Sequence, residues 1–201
     1  RRLLVMRPGF LVVVDVLDAS DGQTHTFDWM YHNRGETVSS PAAQEVSAAP
    51  KGQGFEFIED VKRGATDGLV RATVGLGDDR VEVRVNGEAG SEVMVGTGVG
   101  ESVLDRVPLV FVTRRGDSAR FAAALDPTIG DEAAEIAEIS MTDHVVSGFV
   151  IQVRLQQGGE EIYAYDPEGN LRDVKGFETR AKLFCLQRMD GGDYDVLGMS
   201  E

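Results

Sequence analysis

Residues 10–17 read FLVVVDVL and residues 24–32 read THTFDWMYH, and these two stretches decide the fold class. The first is almost wholly apolar and rich in valine, which is typical of a strand buried on both faces. The second alternates, because successive side chains of a strand point to opposite sides. Its two faces carry Phe27, Trp29 and Tyr31 on one side and Asp28, Met30 and His32 on the other. We therefore predict two neighbouring β-strands joined by a turn over residues 18–23.

Short β-rich runs separated by turn residues continue to the end of the chain, about a dozen strands in all. Residues 80–86 (RVEVRVN) alternate strictly, and Asn86-Gly87 predicts a hairpin with residues 91–95. Residues 109–114 and 119–125 predict a second hairpin. Residues 131–139 (DEAAEIAEI) fit a short helix or the start of a strand equally well. The pattern predicts a single all-β domain over residues 1–201, an antiparallel multi-stranded β-sandwich, with a long exposed connection near residues 37–54.

The charge balance narrows the classes of partner. The chain carries 34 Asp and Glu against 20 Lys and Arg, a net charge of −14. Such a surface repels phosphate backbones and anionic lipids, which argues against nucleic acid and membrane partners. An acidic polysaccharide would also be repelled, so a site for one would need local basic groups. Arg114, Arg115 and Arg120 bracket the second hairpin and could pair with a carboxylate, or form salt bridges that keep the hairpin soluble.

No motif in the sequence forms a complete catalytic or metal site. Residues 96–100 (GTGVG) lack the Lys and the strand–helix context of a phosphate-binding loop. His25 and His32 are seven residues apart on one strand, so they face opposite sides and cannot share a metal. His144 lies in a predicted turn. We predict no metal and no cofactor in this chain, and Cys185, the one cysteine, as a buried packing residue.

Four residues are candidates for a site. Trp29 and Tyr31 could stack on a sugar ring, or they could belong with Phe27 to the core-facing stripe of their strand. His32 is a third candidate for substrate binding. Asp15, on the neighbouring predicted strand, could reach His32 and orient its imidazole as a structural pair.

Three stretches together resemble the C-terminal β part of the heparinase II/III-like polysaccharide lyases, a group that includes oligo-alginate lyases. They are residues 7–33, residues 98–127 (with RVPLVFVTRRGD at 106–117) and the strand at residues 178–184 (ETRAKLF). The resemblance spans nearly the whole chain, in order. It implies a β portion packed against an N-terminal α/α toroid in a protein that cleaves uronic-acid polysaccharides by β-elimination.

The resemblance assigns no catalytic residue to this chain. In the family the catalytic Asn, His and Tyr lie mainly on the toroid, and zinc ligands, where present, come from an earlier His-x-His-x-Asp type segment. Asp15 and His32 match family positions, but no catalytic role is implied for either. The chain opens with RRLLV and closes beside an apolar run, which suggests a piece excised from a longer protein.

Two functions are consistent with these observations. The first is the C-terminal portion of such a lyase, which supports the missing toroid and walls the sugar cleft without catalysis of its own. The alternative is a non-catalytic module that binds carbohydrate or protein. Whether the parent is an active enzyme, and whether it is periplasmic, secreted or cytoplasmic, the sequence leaves open.

Overall fold

The computed structural model describes residues 2–52, 54–102, 104–143 and 148–200, and His144 lies outside them. The prediction of an all-β chain with antiparallel pairing is confirmed, with 61% of residues in strands. The strands are β1 (Arg2–Met6), β2 (Leu11–Asp18), β3 (His25–His32), β4 (Thr37–Ser39), β5 (Glu45–Val46), β6 (Glu59–Thr66), β7 (Val70–Leu76), β8 (Asp79–Val85), β9 (Ser91–Val99), β10 (Arg106–Gly116), β11 (Ser118–Thr128), β12 (Ile136–Asp143), β13 (Phe149–Leu155), β14 (Glu160–Tyr165), β15 (Arg172–Val174), β16 (Phe177–Thr179), β17 (Leu183–Arg188) and β18 (Asp195–Ser200).

Helix is confined, within the described ranges, to one 3₁₀ turn over Phe55–Phe57. Residues 136–139 begin the strand β12, and residues 131–139 form no helix. Most of the described residues in 37–54 are exposed, Ser40 and Ala43 are buried, and the segment contains the short strands β4 and β5. No helix in the described residues is long and apolar enough to cross a membrane.

The chain divides into two compact units, residues 1–134 and 135–201. Each unit has its own sheets and its own hydrophobic cluster. The single domain over residues 1–201 stays a prediction. The alternating pattern of short strands is the same in both units, so the sequence gives no signal at their boundary.

Unit 1 contains two sheets that enclose one core. Sheet I has the strand order β1-β2-β11-β8-β7-β4, and sheet II has the order β3-β10-β9-β6-β5. The shared core takes side chains from both sheets, because one face of each strand is apolar. Its fully buried members include Val83, Val85 and Phe121 from sheet I and Val93, Val95, Val110 and Val112 from sheet II.

Both predicted hairpins are wrong, because each pair of runs separates into different sheets. β8 pairs with β7 and β11, whereas β9 pairs with β6 and β10. Likewise β10 belongs to sheet II and β11 to sheet I. The long-range pairings are nested instead: β7 with β8, β6 with β9, β3 with β10 and β2 with β11. Strands β2 to β11 of unit 1 therefore include nested antiparallel pairs that are distributed over its two sheets.

The connection after β8 is fixed by buried polar groups. The Oδ1 atom of Asn86 accepts a hydrogen bond from the backbone N–H of Ala122 at 2.8 Å. The guanidinium of Arg114 donates to the backbone oxygens of Asn86 and Arg120 and, at 3.1 Å, to the hydroxyl of Ser91. Asn86 thus ties β8 to β11 instead of opening a tight turn, which is why the hairpin signal failed.

The glycines of residues 96–100 serve strand packing. A Cβ at Gly98 would lie 2.4 Å from the Cδ1 atom of Leu109, and a Cβ at Gly96 would lie 2.8 Å from the backbone oxygen of Glu59. Real side chains do not approach so closely, so Gly96 must be glycine because its contact is backbone, and a side chain at position 98 would have to displace Leu109.

Unit 2 is built on sheet III, with the strand order β12-β13-β14-β17-β18, and a separate hairpin of β15 and β16. Its cluster of buried residues comprises Ile162, Ala164, Val174, Phe184 and Leu186. Val174 belongs to the hairpin, so the hairpin packs on one face of sheet III.

Candidate functional site

The outer face of sheet II, opposite the shared core, carries a cleft. Val110 and Val112 of β10 point into the core, and the alternate residues Leu109 and Phe111 form a second cluster on the outer face with Met94. The loop that follows β5 and the 3₁₀ turn bring Phe55 over this face. The result is a cleft of about 460 Å³, which we call the sheet II cleft.

The floor of the sheet II cleft is apolar and aromatic. Phe55 and Phe111 lie with their ring centroids 5.5 Å apart and their planes tilted by 53°. Met94 also lines the cleft. Such a surface can pack against the C–H face of a sugar ring or another flat apolar group.

Three cations line the same cleft, namely Lys51, Arg63 and Arg115. Lys51 and Arg115 are exposed, and Arg63 is half-buried. The guanidinium of Arg63 donates to the carboxylate of Glu92 at 3.4 Å. On a chain of net charge −14, this is a local basic group of the kind that an acidic ligand requires.

Two carboxylates complete the lining. Glu92 pairs with Arg63, and Asp28 accepts a hydrogen bond from the hydroxyl of Thr113. Both residues keep their carboxylates exposed, so each can also accept hydrogen bonds from ligand hydroxyl groups. The cleft therefore offers cations for a ligand carboxylate, acceptors for hydroxyl groups and rings for an apolar face.

Trp29 and Tyr31 lie on the inner face of β3, away from the sheet II cleft. Trp29 is only 6% exposed and belongs to the shared core, with Phe27 and Tyr31 packed against it. The rings of Trp29 and Tyr31 are stacked, with centroids 6.5 Å apart. Burial raises the pKa of the Tyr31 phenol, while a hydrogen bond from Asn33 acts in the opposite direction. Substrate binding by these two rings stays a prediction.

His32 lies on the opposite side of β3, facing outward with Asp28. It is exposed and pairs in register with Leu109 of β10, whereas Asp28 pairs with Thr113. Four residues of strand span roughly 13 Å, so His32 lies on the face that holds the sheet II cleft, toward the end of β3. Of the three predicted substrate-binding residues, His32 alone shares this face.

The predicted neighbourhood of Asp15 and His32 is wrong. Asp15 belongs to β2 of sheet I, where it pairs with Phe121 of β11, and His32 belongs to sheet II. Because Phe121 points into the shared core, its register partner Asp15 lies on the inner side of sheet I. His32 lies on the outer side of sheet II, so the core separates the two side chains.

Among the residues that the structure describes, no group of three or more His, Cys, Asp or Glu side chains could hold a metal ion. The predicted lack of a cofactor in this chain stays a prediction.

Sequence reasoning missed most of the sheet II cleft because its residues come from five separate segments. Arg115 was considered as one of three basic residues near a turn, and Asp28 appeared only as the polar face of a strand. The one sequence signal for the cleft was the alternation of polar and apolar residues along β3, which marks Thr26, Asp28 and His32 as outward-facing.

Comparison with protein-family models finds no match to this chain, and comparison with curated proteins finds none either.

Proposed function

We propose that this chain is a non-catalytic β-sandwich portion of a polysaccharide-processing protein similar to the heparinase II/III-like lyases, and that its sheet II cleft binds an acidic saccharide. The observation that carries the proposal is the grouping of Lys51, Arg63 and Arg115 beside the rings of Phe55 and Phe111. It supplies the local positive charge that a uronate chain needs to approach so acidic a protein.

Each part of the cleft matches one part of a uronic-acid ring. An arginine guanidinium such as that of Arg115 suits a carboxylate because it can donate two parallel hydrogen bonds. The rings of Phe55 and Phe111 suit the C–H face of the sugar. Asp28 and Glu92 suit the hydroxyl groups, since ionised carboxylates only accept hydrogen bonds.

Support of a toroid is the second part of the proposal and rests on the resemblance described above. In that arrangement the N-terminal toroid of the same protein is the partner, it supplies the catalytic groups, and any zinc is bound outside this chain. The outer face of sheet II, with His32 at one end, would then wall the saccharide path.

The binding test is calorimetric titration of the purified chain with a hexamer of uronic acid, and with a neutral hexasaccharide as the reference. We expect saturable binding of the acidic hexamer that weakens as salt is added. Arg115→Gln should weaken binding about tenfold, the loss of one charge-assisted hydrogen bond. Arg71→Gln, at an exposed arginine on sheet I, is the matched control and should leave the affinity unchanged. Equal binding of the neutral hexamer would refute the acidic specificity.

The catalytic test uses the same chain and polymeric uronate. Unsaturated uronate absorbs in the ultraviolet, so β-elimination is followed directly. The proposal expects no such absorbance from this chain alone, and a measurable rate would overturn its non-catalytic assignment.

The alternative is a carbohydrate-binding module with no catalytic parent. The sheet II cleft serves either protein, so binding does not separate them. Mixing the chain with a separately expressed toroid from a lyase of this class does: association in analytical ultracentrifugation favours the lyase portion, and its absence favours the independent module.

A further inference from the structure

A second cavity, in unit 2, concentrates positive charge. It has a volume of about 420 Å³ and is lined by Arg154, Lys175 and Arg188. Residues 135–201 contain six Lys and Arg and thirteen Asp and Glu, so half of the cations of an acidic unit line one cavity. Glu160 and Asp190 also line the cavity, so its three cations exceed its carboxylates by one.

A buried carboxylate holds one of these cations in place. Glu160, 4% exposed, accepts hydrogen bonds from Arg188 and Tyr194 at Oε1 and from Gln152 at Oε2. Burial acts to raise the pKa of Glu160, but these hydrogen bonds and the nearby charges of Arg188 and Lys175 outweigh it and lower that pKa. The carboxylate accepts three hydrogen bonds, while the side chain of Arg188 stays 44% exposed.

Lys175 reaches the cavity at the cost of backbone strain. It lies in the two-residue turn between β15 and β16 with a φ of 54°, a left-handed conformation in which Gly, Asn and Asp are preferred. Its Nζ atom lies 5.9 Å from the ring centroid of Tyr194, and the Arg188 guanidinium lies 4.9 Å from the same centroid. The Tyr194 ring therefore makes cation–π contacts with two of the cations that line the cavity.

Glycine and polar residues make up the rest of the lining. Gly159 and Gly191 line the cavity, and Gly159 packs closely on the neighbouring strand, since a Cβ there would lie 2.5 Å from the backbone oxygen of Arg188. Asp190 adds one carboxylate to the lining. Arg154 forms an exposed ion pair with Glu138, with 3.2 Å between the Arg154 Nη1 atom and the Glu138 Oε2 atom. Exposed pairs of this kind are weak, so Arg154 can turn to a stronger anion.

We propose that this cavity binds a tetrahedral oxyanion, phosphate or sulfate, either free or as an ester. A doubly charged anion with oxygens in several directions can contact Arg154, Lys175 and Arg188 together, whereas a single carboxylate offers less charge against the repulsion of Glu160 and Asp190. The site belongs to unit 2 and is independent of the sheet II cleft and of its proposed ligand.

The test is titration of the whole chain with inorganic phosphate and with sulfate, followed by amide NMR shifts, against sodium chloride at equal ionic strength. We expect saturable shifts of residues 152–160, 175 and 188 with the oxyanions alone. Lys175→Asn and Arg154→Gln should each weaken binding about tenfold. Lys182→Gln, at an exposed lysine of the same unit outside the cavity, should have no effect. Shifts that chloride reproduces, or binding that survives Lys175→Asn unchanged, would overturn the proposal.

Lys175→Asn also guards against a folding artefact. Asn adopts the left-handed conformation more easily than Lys, so this variant should raise the thermal stability while it loses the anion. Lost binding with raised stability supports a ligand-binding role. The same thermal melt would reveal a variant that lost binding because it failed to fold. A sulfate or phosphate monoester of glucose then separates the sources: tighter binding than the inorganic ion assigns an ester, and weaker binding assigns the free ion.

Discussion

The guanidinium of Arg114 lies 4.5 Å from the centroid of the Phe121 ring, inside unit 1. Arg114 is the largest fully buried side chain of the described residues, and it pairs with Glu88 at 3.1 Å. Burial lowers the pKa of Arg114, and Glu88 works against that shift. This one cation of β10 therefore links the connection after β8 to β11, where the predicted hairpins fail.

Loss of Arg114 should destabilise unit 1 strongly. Arg114→Met leaves the backbone oxygens of Asn86 and Arg120 buried without their donor, which we expect to cost about 3–5 kcal/mol. Glu88→Gln should cost only about 0–1 kcal/mol, because the Glu88 side chain is 44% exposed. Urea unfolding followed by fluorescence measures both, since Trp29 is the single tryptophan and lies in the core of unit 1. Equal losses would show that Arg114 does not organise this end of the core.

Trp29 should affect stability far more than its neighbour. Trp29→Ala removes a buried ring from the shared core and should cost about 3–5 kcal/mol. Met30→Ala should cost less than about 1 kcal/mol, because Met30 is 50% exposed on the other face of β3. Thermal unfolding by circular dichroism compares the two variants. A mild effect of Trp29→Ala would contradict a core-packing role for Trp29 and favour its role in stacking on a sugar.

Gly98 should not tolerate alanine. The added Cβ would meet Leu109 at 2.4 Å, and we expect Gly98→Ala to cost about 1–3 kcal/mol as Leu109 is displaced. Gly68→Ala is the control in the same unit, since its nearest contact would be the Thr66 hydroxyl at an ordinary 3.8 Å. The stability of both variants is measured from the midpoint of urea unfolding, which Trp29 fluorescence follows. If Gly98→Ala matched Gly68→Ala, the glycine-rich stretch would need an explanation other than packing.

Unit 2 should lose stability in acid through Glu160. Its pKa in the folded unit lies below the ordinary value of 4.5, so the ionised form stabilises the fold above about pH 4.5. That contribution is lost as the pH falls through the lower folded pKa. Hydrogen exchange of β17 amides, expressed as protection relative to an unstructured peptide, should show a decline below pH 4.5. Glu160→Gln should flatten the decline; an unchanged profile would assign it to other carboxylates.

The strands themselves could be predicted from the sequence. β2, β3 and β8 begin and end within one or two residues of the apolar and alternating runs that predicted them. Their partners could not, because the strongest local signal, Asn86-Gly87, describes only a short turn. The buried hydrogen bond between Asn86 and Ala122 joins residues 36 positions apart, and no local pattern reports such a contact.

The candidate sites show the same division between local and distant information. Alternation along β3 correctly set Trp29 and Tyr31 on one face and His32 on the other. It could not say that β2 and β3 belong to different sheets, so Asp15 seemed close to His32. The cavity of unit 2 depends on Glu160, which a sequence presents as one acidic residue among many.

The nested pairings determine when the strands can find their partners during synthesis on the ribosome. β7 and β8 are close in the chain and can pair early, whereas β11 must emerge, up to Thr128, before it can fill the gap between β2 and β8. Pairings this distant make folding slow, and open strand edges attract other chains. A nascent chain stalled before residue 118 would expose the valine-rich edge of β2, so sheet I should depend on chaperones until its central strand arrives.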